Sequence, residues 1–349
     1  MTTMSRAAEP IRDEQQLEER LSRPTSGTEQ LMRGLEGDLL IIGVGGKMGP
    51  SLARLARRSA DAAGRRDQRI IGVSRFTAPR LRQALEQERI ETFACDVLDP
   101  QARATLPSAA NVIVMLAHKF SGDDPPGKHW AVNTYLAGAL AERYRDSRVV
   151  AFSTGNVYPL VERDAPQPTE ATPPAPVGEY GASAWGRERM WEYASAAHGT
   201  RVSLIRLNYA VELRYGVLVD LAQQLLAGRP IDLSMPEVNF VWQGYANAVT
   251  LQALSLADSP AAILNVTGPE RHCVRDLANG LAARLGVTAT FIEPEGESAL
   301  LNDASRCREL FGPPEPNAEQ LMDLVAAWLR NGGRTLSKPT MFQVRDGAF

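Results

Sequence analysis

The stretch "LLIIGVGGKMG", residues 39 to 49, decides how this chain is read. Four apolar residues, Leu39 to Ile42, make a short strand, and Gly43, Gly46 and Gly49 follow it as GxxGxxG. Met48, Leu52, Leu55 and Ala56 then recur at helical spacing through "PSLARLARRSADA". A strand, a glycine turn and a helix in that order can bind a pyrophosphate. Glycines let the backbone turn tightly and approach the phosphates, which meet N–H groups and the positive dipole end at the helix N-terminus. On this reading Gly43, Gly46, Met48 and Gly49 hold a dinucleotide, and Lys47 adds charge beside a phosphate. The plainer alternative is a tight strand-to-helix turn with a solvated lysine.

The pattern repeats outward from this stretch. "RIIGVSRF" reads as a strand, "PRLRQALEQE" as a helix, and "IETFACDVLD" and "NVIVMLAHKF" as two further strands. "KHWAVNTYLAGALAERYR" follows as a helix, then "RVVAFSTGNVY" and "RVSLIRLNYA" as strands. Strands apolar on both faces, alternating with helices, predict a parallel sheet covered on both sides. The predicted fold is α/β, a Rossmann-type doubly wound sheet with a smaller C-terminal α/β substrate lobe. The expected divisions are an N-terminal extension at 1–37, a dinucleotide-binding domain at 38–205, a lobe at 206–330 mixed with returning Rossmann elements, and a tail at 331–349. The extension, with Leu17, Leu21, Leu31 and Leu35 at helical spacings, is expected to lie outside the core fold. The tail, "NGGRTLSKPTMFQVRDGAF", reads as too polar and glycine-rich for core, and is expected to dock on the body or on a second subunit. Five prolines between Pro166 and Pro176 make a surface loop ahead of "GEYGASAWGRERMWEY".

Composition narrows the classes of function. A chain of 349 residues with 44% hydrophobic and 23% charged residues is an ordinary globular protein. A net charge of −3 gives no basis for general nucleic-acid binding, which needs concentrated Lys and Arg. The three cysteines, Cys95, Cys273 and Cys307, have neither disulfide-framework nor zinc spacing, and they read as buried thiols in a reducing compartment. His118, His129, His198 and His272 are scattered without metal spacing, so no metal is expected. There is no signal-like run and no stretch of about 18 apolar residues. The expected location is the cytoplasm, with no membrane partner.

The ends of the strands refine the cofactor reading. An acid after the second strand would hydrogen-bond the adenosine ribose and favour NAD, whereas an arginine can neutralise a 2′-phosphate. Ser74 and Arg75 stand there. NADP is therefore favoured, with NAD the alternative. Asp96, at the end of the third strand, is placed to accept from the adenine amino group.

At this point the chain resembles the extended short-chain dehydrogenase/reductases of the NAD(P)-dependent epimerase/dehydratase type, from about Leu39 to Arg330. The resemblance rests on GxxGxxG, "CDV" at 95–97, "MLAH" at 115–118, "WAVNTYLAGAL" with Asn133, "FSTGNVY" at 152–158, "EYGAS" at 179–183 and "IRLNYA" at 205–210. "LNVTGPE" at 264–270 looks like a late strand of the family's substrate lobe. The resemblance implies a hydride-transfer enzyme acting on a sugar or nucleotide sugar and working as a homodimer. Thr154 would orient a substrate hydroxyl and Tyr180 would act as general acid/base. Val97, Leu116, Ala117, Asn133 and Tyr180 would line the cofactor, and His118 and Asn208 the substrate.

One position departs from this pattern. The lysine that normally follows the tyrosine by four residues is Ala184. A phenol has an ordinary pKa of about 10 and is a poor base at neutral pH without nearby positive charge. Arg187 lies on the same helical face, about 10.5 Å along the axis from Tyr180, and helical side chains lean back toward the N-terminus. It is the candidate replacement. A shifted register would use Trp185 and Arg189, keeping a cation but losing the phenol. Arg187 and Arg189 also read simply as a solvated face paired with Glu188 or Glu192. Gly244 and Tyr245 stand where the family often has an acid. A non-catalytic dinucleotide-binding sensor or scaffold is the competing function.

Overall fold

The computed structural model describes residues 9–118, 125 and 127–347. Seven strands form the central sheet: β1 (Leu39–Ile42), β2 (Ile70–Ser74), β3 (Glu91–Ala94), β4 (Asn111–Val114), β5 (Arg148–Thr154), β6 (Arg201–Leu207) and β7 (Ala262–Val266). Their order is β7-β6-β5-β4-β1-β2-β3, and every pairing is parallel. The chain starts in the middle, runs out through β2 and β3, and returns on the other side of β1 with β4. This reversal between β1 and β4 opens a crevice at the carboxyl ends of the strands. Lys119 and Phe120, the last two residues of the expected fourth strand, lie outside the described residues, as do 1–8 and 348–349.

The alternating strand side chains feed two cores. Leu39, Ile41, Ile113, Val150 and Ile205 pack on one face with Leu52, Leu55 and Ala56, while Leu40, Ile42, Val112, Val149 and Leu204 pack on the other with Leu140 and Trp191. Both faces are covered, so β1 and β4 are buried at every position. A third core belongs to the lobe and gathers Val217, Leu221, Leu225, Leu277, Leu281, Leu321 and Val325.

The N-terminal segment is not an outlying extension. Its helices α1 (Glu14–Leu21) and α2 (Ser26–Gly34) are capped by Asp13 and by a Thr25–Thr28 capping box. Leu17 and Leu21 are fully buried in the lobe core, and Met32 and Leu35 in one sheet core. Burying each such side chain is worth about 1.5–3 kcal/mol, so these leucines form part of the fold's interior. The tail docks on the body of its own chain, one of the two placements expected, but it is not outside the core: Phe342 enters the lobe core at 2% exposure. "LNVTGPE" is corrected as well, because its first residues belong to β7 on the outer edge of the central sheet rather than to a lobe strand.

Two helices frame the site. Helix α3 (Gly49–Ala62) follows the glycine loop, and α4 (Gly178–His198) carries Tyr180. The helix expected around residues 128–145 is interrupted: Gly127–His129 and Leu136–Arg143 are α-helical, but Trp130–Tyr135 is a π-helical segment. Such turns place one residue more per turn than the α-helix and concentrate at functional sites.

Candidate active site

The glycine loop joins two hollows at the carboxyl end of the sheet. Gly43 has φ +95°, which a side chain disfavours, and a Cβ there would also press on Leu116 at 3.2 Å. At Gly49 a Cβ would lie 2.4 Å from the Val44 carbonyl oxygen, so glycine lets α3 start against the turn. The first hollow, about 390 Å³, is lined by Gly43, Gly46, Ser74, Arg75, Asp96, Val97, Leu116, Ala117 and His118, together with Gly45, Thr77 and Lys128. Arg75 is exposed there and makes no ion pair among the described residues. The Asp96 carboxylate accepts the N–H of Leu98 at 3.1 Å and leaves its remaining acceptor capacity toward the cleft.

The second hollow, about 320 Å³, shares Gly43, Gly46 and Ala117 with the first. Lys47, Met48, Gly49, Thr154, Asn156, Tyr180, Arg187, Asn208, Tyr209, Tyr215 and Thr340 are among its other walls. Two larger clefts of about 490 and 500 Å³ flank Trp242 and the prolines at 313–316, but share no residue with the glycine loop or Tyr180. Size alone does not mark the site. What distinguishes the two smaller hollows is that they meet at the glycine loop and so form one continuous cleft.

Thr154 ends β5 in extended conformation and caps a short 3-10 turn. Its hydroxyl donates to Asn156 Oδ1 at 2.9 Å and accepts the Asn156 N–H at 3.2 Å, which leaves acceptor capacity for a hydroxyl in the cavity. Tyr180 is 5% exposed in the first turns of α4.

Arg187 lines the same cavity as Tyr180 and is buried at 3% exposure. Its Nη1 donates to the Phe152 carbonyl at 2.8 Å, its Nη2 to Asn133 Oδ1 at 2.6 Å, and its Nε to the Asn133 carbonyl at 3.4 Å. All three acceptors are neutral. Burial pushes the guanidinium pKa downward, and interaction with Tyr180 and Glu188 opposes that. Ala184 packs against Val157 and Tyr158 instead, so no cation issues from that position. Arg189 is exposed, stacked on Trp185 and paired with Glu192, which places the shifted-register cation outside the cavity.

Asn133 sits on the π-helical segment with no exposed surface and ties three elements together. Its Nδ2 donates to Ser183 Oγ at 2.9 Å and to the His118 carbonyl at 3.2 Å, and its Oδ1 accepts the His118 N–H at 2.9 Å. It stands behind the cavity wall rather than on it. His118 lines the hollow that holds Asp96, not the one that holds Tyr180, and its ring lies tilted against that of His129 with centroids 5.1 Å apart. Asn208 does line the Tyr180 cavity, but its amide donates to Asn239 Oδ1 at 3.0 Å. Lys47 lies over the Tyr215 ring at 4.4 Å, with its stem along the same cavity.

The sequence reading missed Asn156, Tyr209, Tyr215 and Thr340. Tyr209 directly follows Asn208 and is held at φ +41°, a conformation unusual for a residue of its size and a mark of local constraint. Burial pushes the phenols of Tyr209 and Tyr215 upward, so both stay neutral hydrogen-bonding groups.

Comparison with known proteins follows the same lines. The sequence profile of the NAD dependent epimerase/dehydratase family matches residues 39–218, just over half of the chain. No curated protein matches the chain significantly in sequence. Solved structures that share the fold include a UDP-galactose 4-epimerase, at TM-score 0.67 and 20% identity, covering 84% of this chain and 99% of that one. A UDP-glucuronic acid 4-epimerase from Bacillus cereus, in complex with a fluorinated sugar nucleotide and NAD, superposes at TM-score 0.70 and 17% identity, with 84% and 99% covered. The enzyme WbmG of Bordetella bronchiseptica, in complex with NAD and UDP, gives TM-score 0.69 and 18% identity, with 88% and 99% covered. With its glycine loop, its threonine and its tyrosine gathered at one sheet end, the chain belongs to the NAD dependent epimerase/dehydratase family of enzymes.

Proposed function

We propose that the protein binds a nicotinamide dinucleotide across its two joined hollows and catalyses hydride transfer on a sugar or nucleotide sugar. The observation that carries this reading is the gathering of Thr154, Tyr180 and a buried Arg187 in a cavity that also contains the glycine loop. The residues present fit the cofactor: a Cβ-free cradle at Gly43 and Gly49 for the pyrophosphate, and Asp96 beside the adenine end. Ser74 and Arg75 at the end of β2 favour NADP, with NAD the alternative. A nicotinamide bound there supplies the hydride acceptor and donor.

The chain's own residues do the rest. Thr154 accepts a hydrogen bond from a substrate hydroxyl beside the reacting one and so fixes the direction of the sugar. Tyr180 takes the reacting hydroxyl's proton and returns it to the oxygen in the reverse direction. Arg187 stands in for the missing lysine as the fixed positive charge of the cavity that holds Tyr180, set in its wall rather than at position 184. Asn133 holds the guanidinium in place. Exposed Trp130, Tyr135 and Tyr193 supply an apolar surface for homodimerisation, to be checked by light scattering.

The test uses NADH and NADPH titrations together with turnover on UDP-glucose, UDP-galactose and UDP-glucuronate. Tyr180→Phe is expected to lower turnover by about 10²–10⁴-fold while leaving cofactor affinity within about threefold. Full activity in that variant refutes the acid/base role. Tight cofactor binding with no turnover on any sugar or polyol in the wild type would support the sensor reading instead.

A further inference from the structure

The C-terminal tail crosses the site that the proposed function uses. Arg334 donates twice to Glu14, both bonds 2.8 Å, and the Leu336 N–H donates to the Arg214 carbonyl at 2.9 Å. The Thr340 N–H and hydroxyl both donate to Asp220 Oδ2, at 2.7 and 2.6 Å. Phe342 is buried in the lobe core, and Arg345 donates to the carbonyls of Ser234 and Ser298 at 2.7 and 2.5 Å. Gly347 then lies so close to the start of α4 that a Cβ on it would be 2.5 Å from the Val177 carbonyl oxygen. Thr340, between these anchors, lines the same cavity as Thr154, Tyr180 and Asn208. Ser337 and Met341, on either side of it, are held at φ +49° and +56°, conformations that persist only where the surroundings over-determine them.

We propose that this tail is the substrate-side wall of the active site, and that Thr340 is a specificity-determining residue that accepts a hydrogen bond from a second hydroxyl of the substrate. The argument rests on the function proposed above. The Thr340 hydroxyl proton is committed to a carboxylate, so toward the cavity its oxygen can only accept. Thr154 is constrained alike, its proton committed to Asn156 Oδ1. Two acceptor-only hydroxyls around one cavity select a ligand with at least two O–H donors, which is the chemistry of a polyhydroxylated sugar.

The full-length protein tests this with bound NADH as the probe and iodide as the quencher of its fluorescence. Releasing the tail with Asp220→Ala and Arg345→Ala together is expected to leave the NADH Kd within about threefold and to raise quenching several-fold. Lys338→Ala, on the exposed side of the tail, should change neither. UDP-glucose, UDP-galactose and UDP-glucuronate are then titrated for protection against quenching. Thr340→Val, which keeps the shape and removes the acceptor, should weaken protection about five- to tenfold, and Thr340→Ser should restore it. Should the double variant fail to fold, the Thr340 pair decides alone. Unchanged quenching overturns the wall. No protection by any sugar nucleotide in the wild type, or equal protection in Thr340→Val, overturns Thr340 as hydroxyl acceptor. Failure of the wild type to bind NADH removes the dinucleotide reading and this inference together, whereas NADH binding with unchanged quenching removes this inference alone.

Discussion

Two arginines are buried against helix α4, and they are held in opposite ways. Arg206, on β6, is 1% exposed and meets a fully buried Glu188 through two bonds of 2.9 and 2.7 Å, with Tyr158 accepting a third at 2.7 Å. The carboxylate also accepts from Ser153, so the charge is neutralised and hydrogen-bonded on every side. Arg187, one residue before Glu188, points to the other side of β5 and has only carbonyl and amide oxygens for partners. A guanidinium keeps its proton even when buried. The first arginine is therefore a cross-tie between helix and sheet. The second is a buried positive charge with neutral partners, set in the wall of the cavity that holds Tyr180.

The largest expected effect comes from breaking the neutralised pair. Glu188→Gln should cost about 3–5 kcal/mol of folding stability, because a buried Arg206 would lose its counter-charge; urea denaturation checks this. Glu188→Gln combined with Arg206→Met should recover part of that loss, since the uncompensated charge is then gone. A merely additive double variant would mean that the pair does not act as a unit.

Arg187→Met probes the other arginine and should invert the balance. Orphaned acceptors at Phe152 and Asn133 cost about 1–3 kcal/mol, offset in part by removal of a desolvated charge. Turnover at neutral pH should fall about 10²–10³-fold with NADH affinity nearly unchanged. Arg187→Lys should restore part of the rate. A variant that loses stability and activity in proportion would make Arg187 a second cross-tie and nothing more.

The smallest effect belongs to a half-buried base, His272, which can shed its charge where Arg187 cannot. It lies against the Phe240 ring at 5.0 Å, and burial pushes its pKa below the ordinary value, with Glu270 and Glu319 opposing. Its folded pKa lies below its unfolded value, so its contribution is present above the ordinary pKa of about 6.5 and is lost as pH falls below it. His272→Phe should flatten stability against pH below about 6.5, by at most about 1.4 kcal/mol per pH unit. An unchanged slope would show that His272 is solvated in the folded state.

What the sequence disclosed follows physical range. The glycine loop, β1 and α3 were legible because strand, turn and helix are adjacent in the chain and each has a local signature. Thr154, Tyr180 and Arg187 were legible in order, and helical geometry alone suggested the reach of Arg187. Its partners were not, because the carbonyls of Phe152 and Asn133 arrive from elements that no spacing rule connects. The burial of Leu17 and Leu21 was hidden behind a charged composition, since two leucines on one face suffice to seat a short helix. Thr340 was invisible for a similar reason: a polar tail carries no periodicity, and its place beside Tyr180 depends on Asp220 and Phe342, which anchor it from the lobe.

The π-helical segment Trp130–Tyr135 turns length into a functional variable. An α-helix advances about 100° per residue, so deleting a single residue there would restore regular winding and swing Asn133 away from Arg187 without changing any side chain in the site. Natural variation in this stretch should thus be read first as insertion and deletion, and only then as exchange of one amino acid for another. An alignment that closes a one-residue gap at this point would pair the wrong residues and report a conserved asparagine as lost.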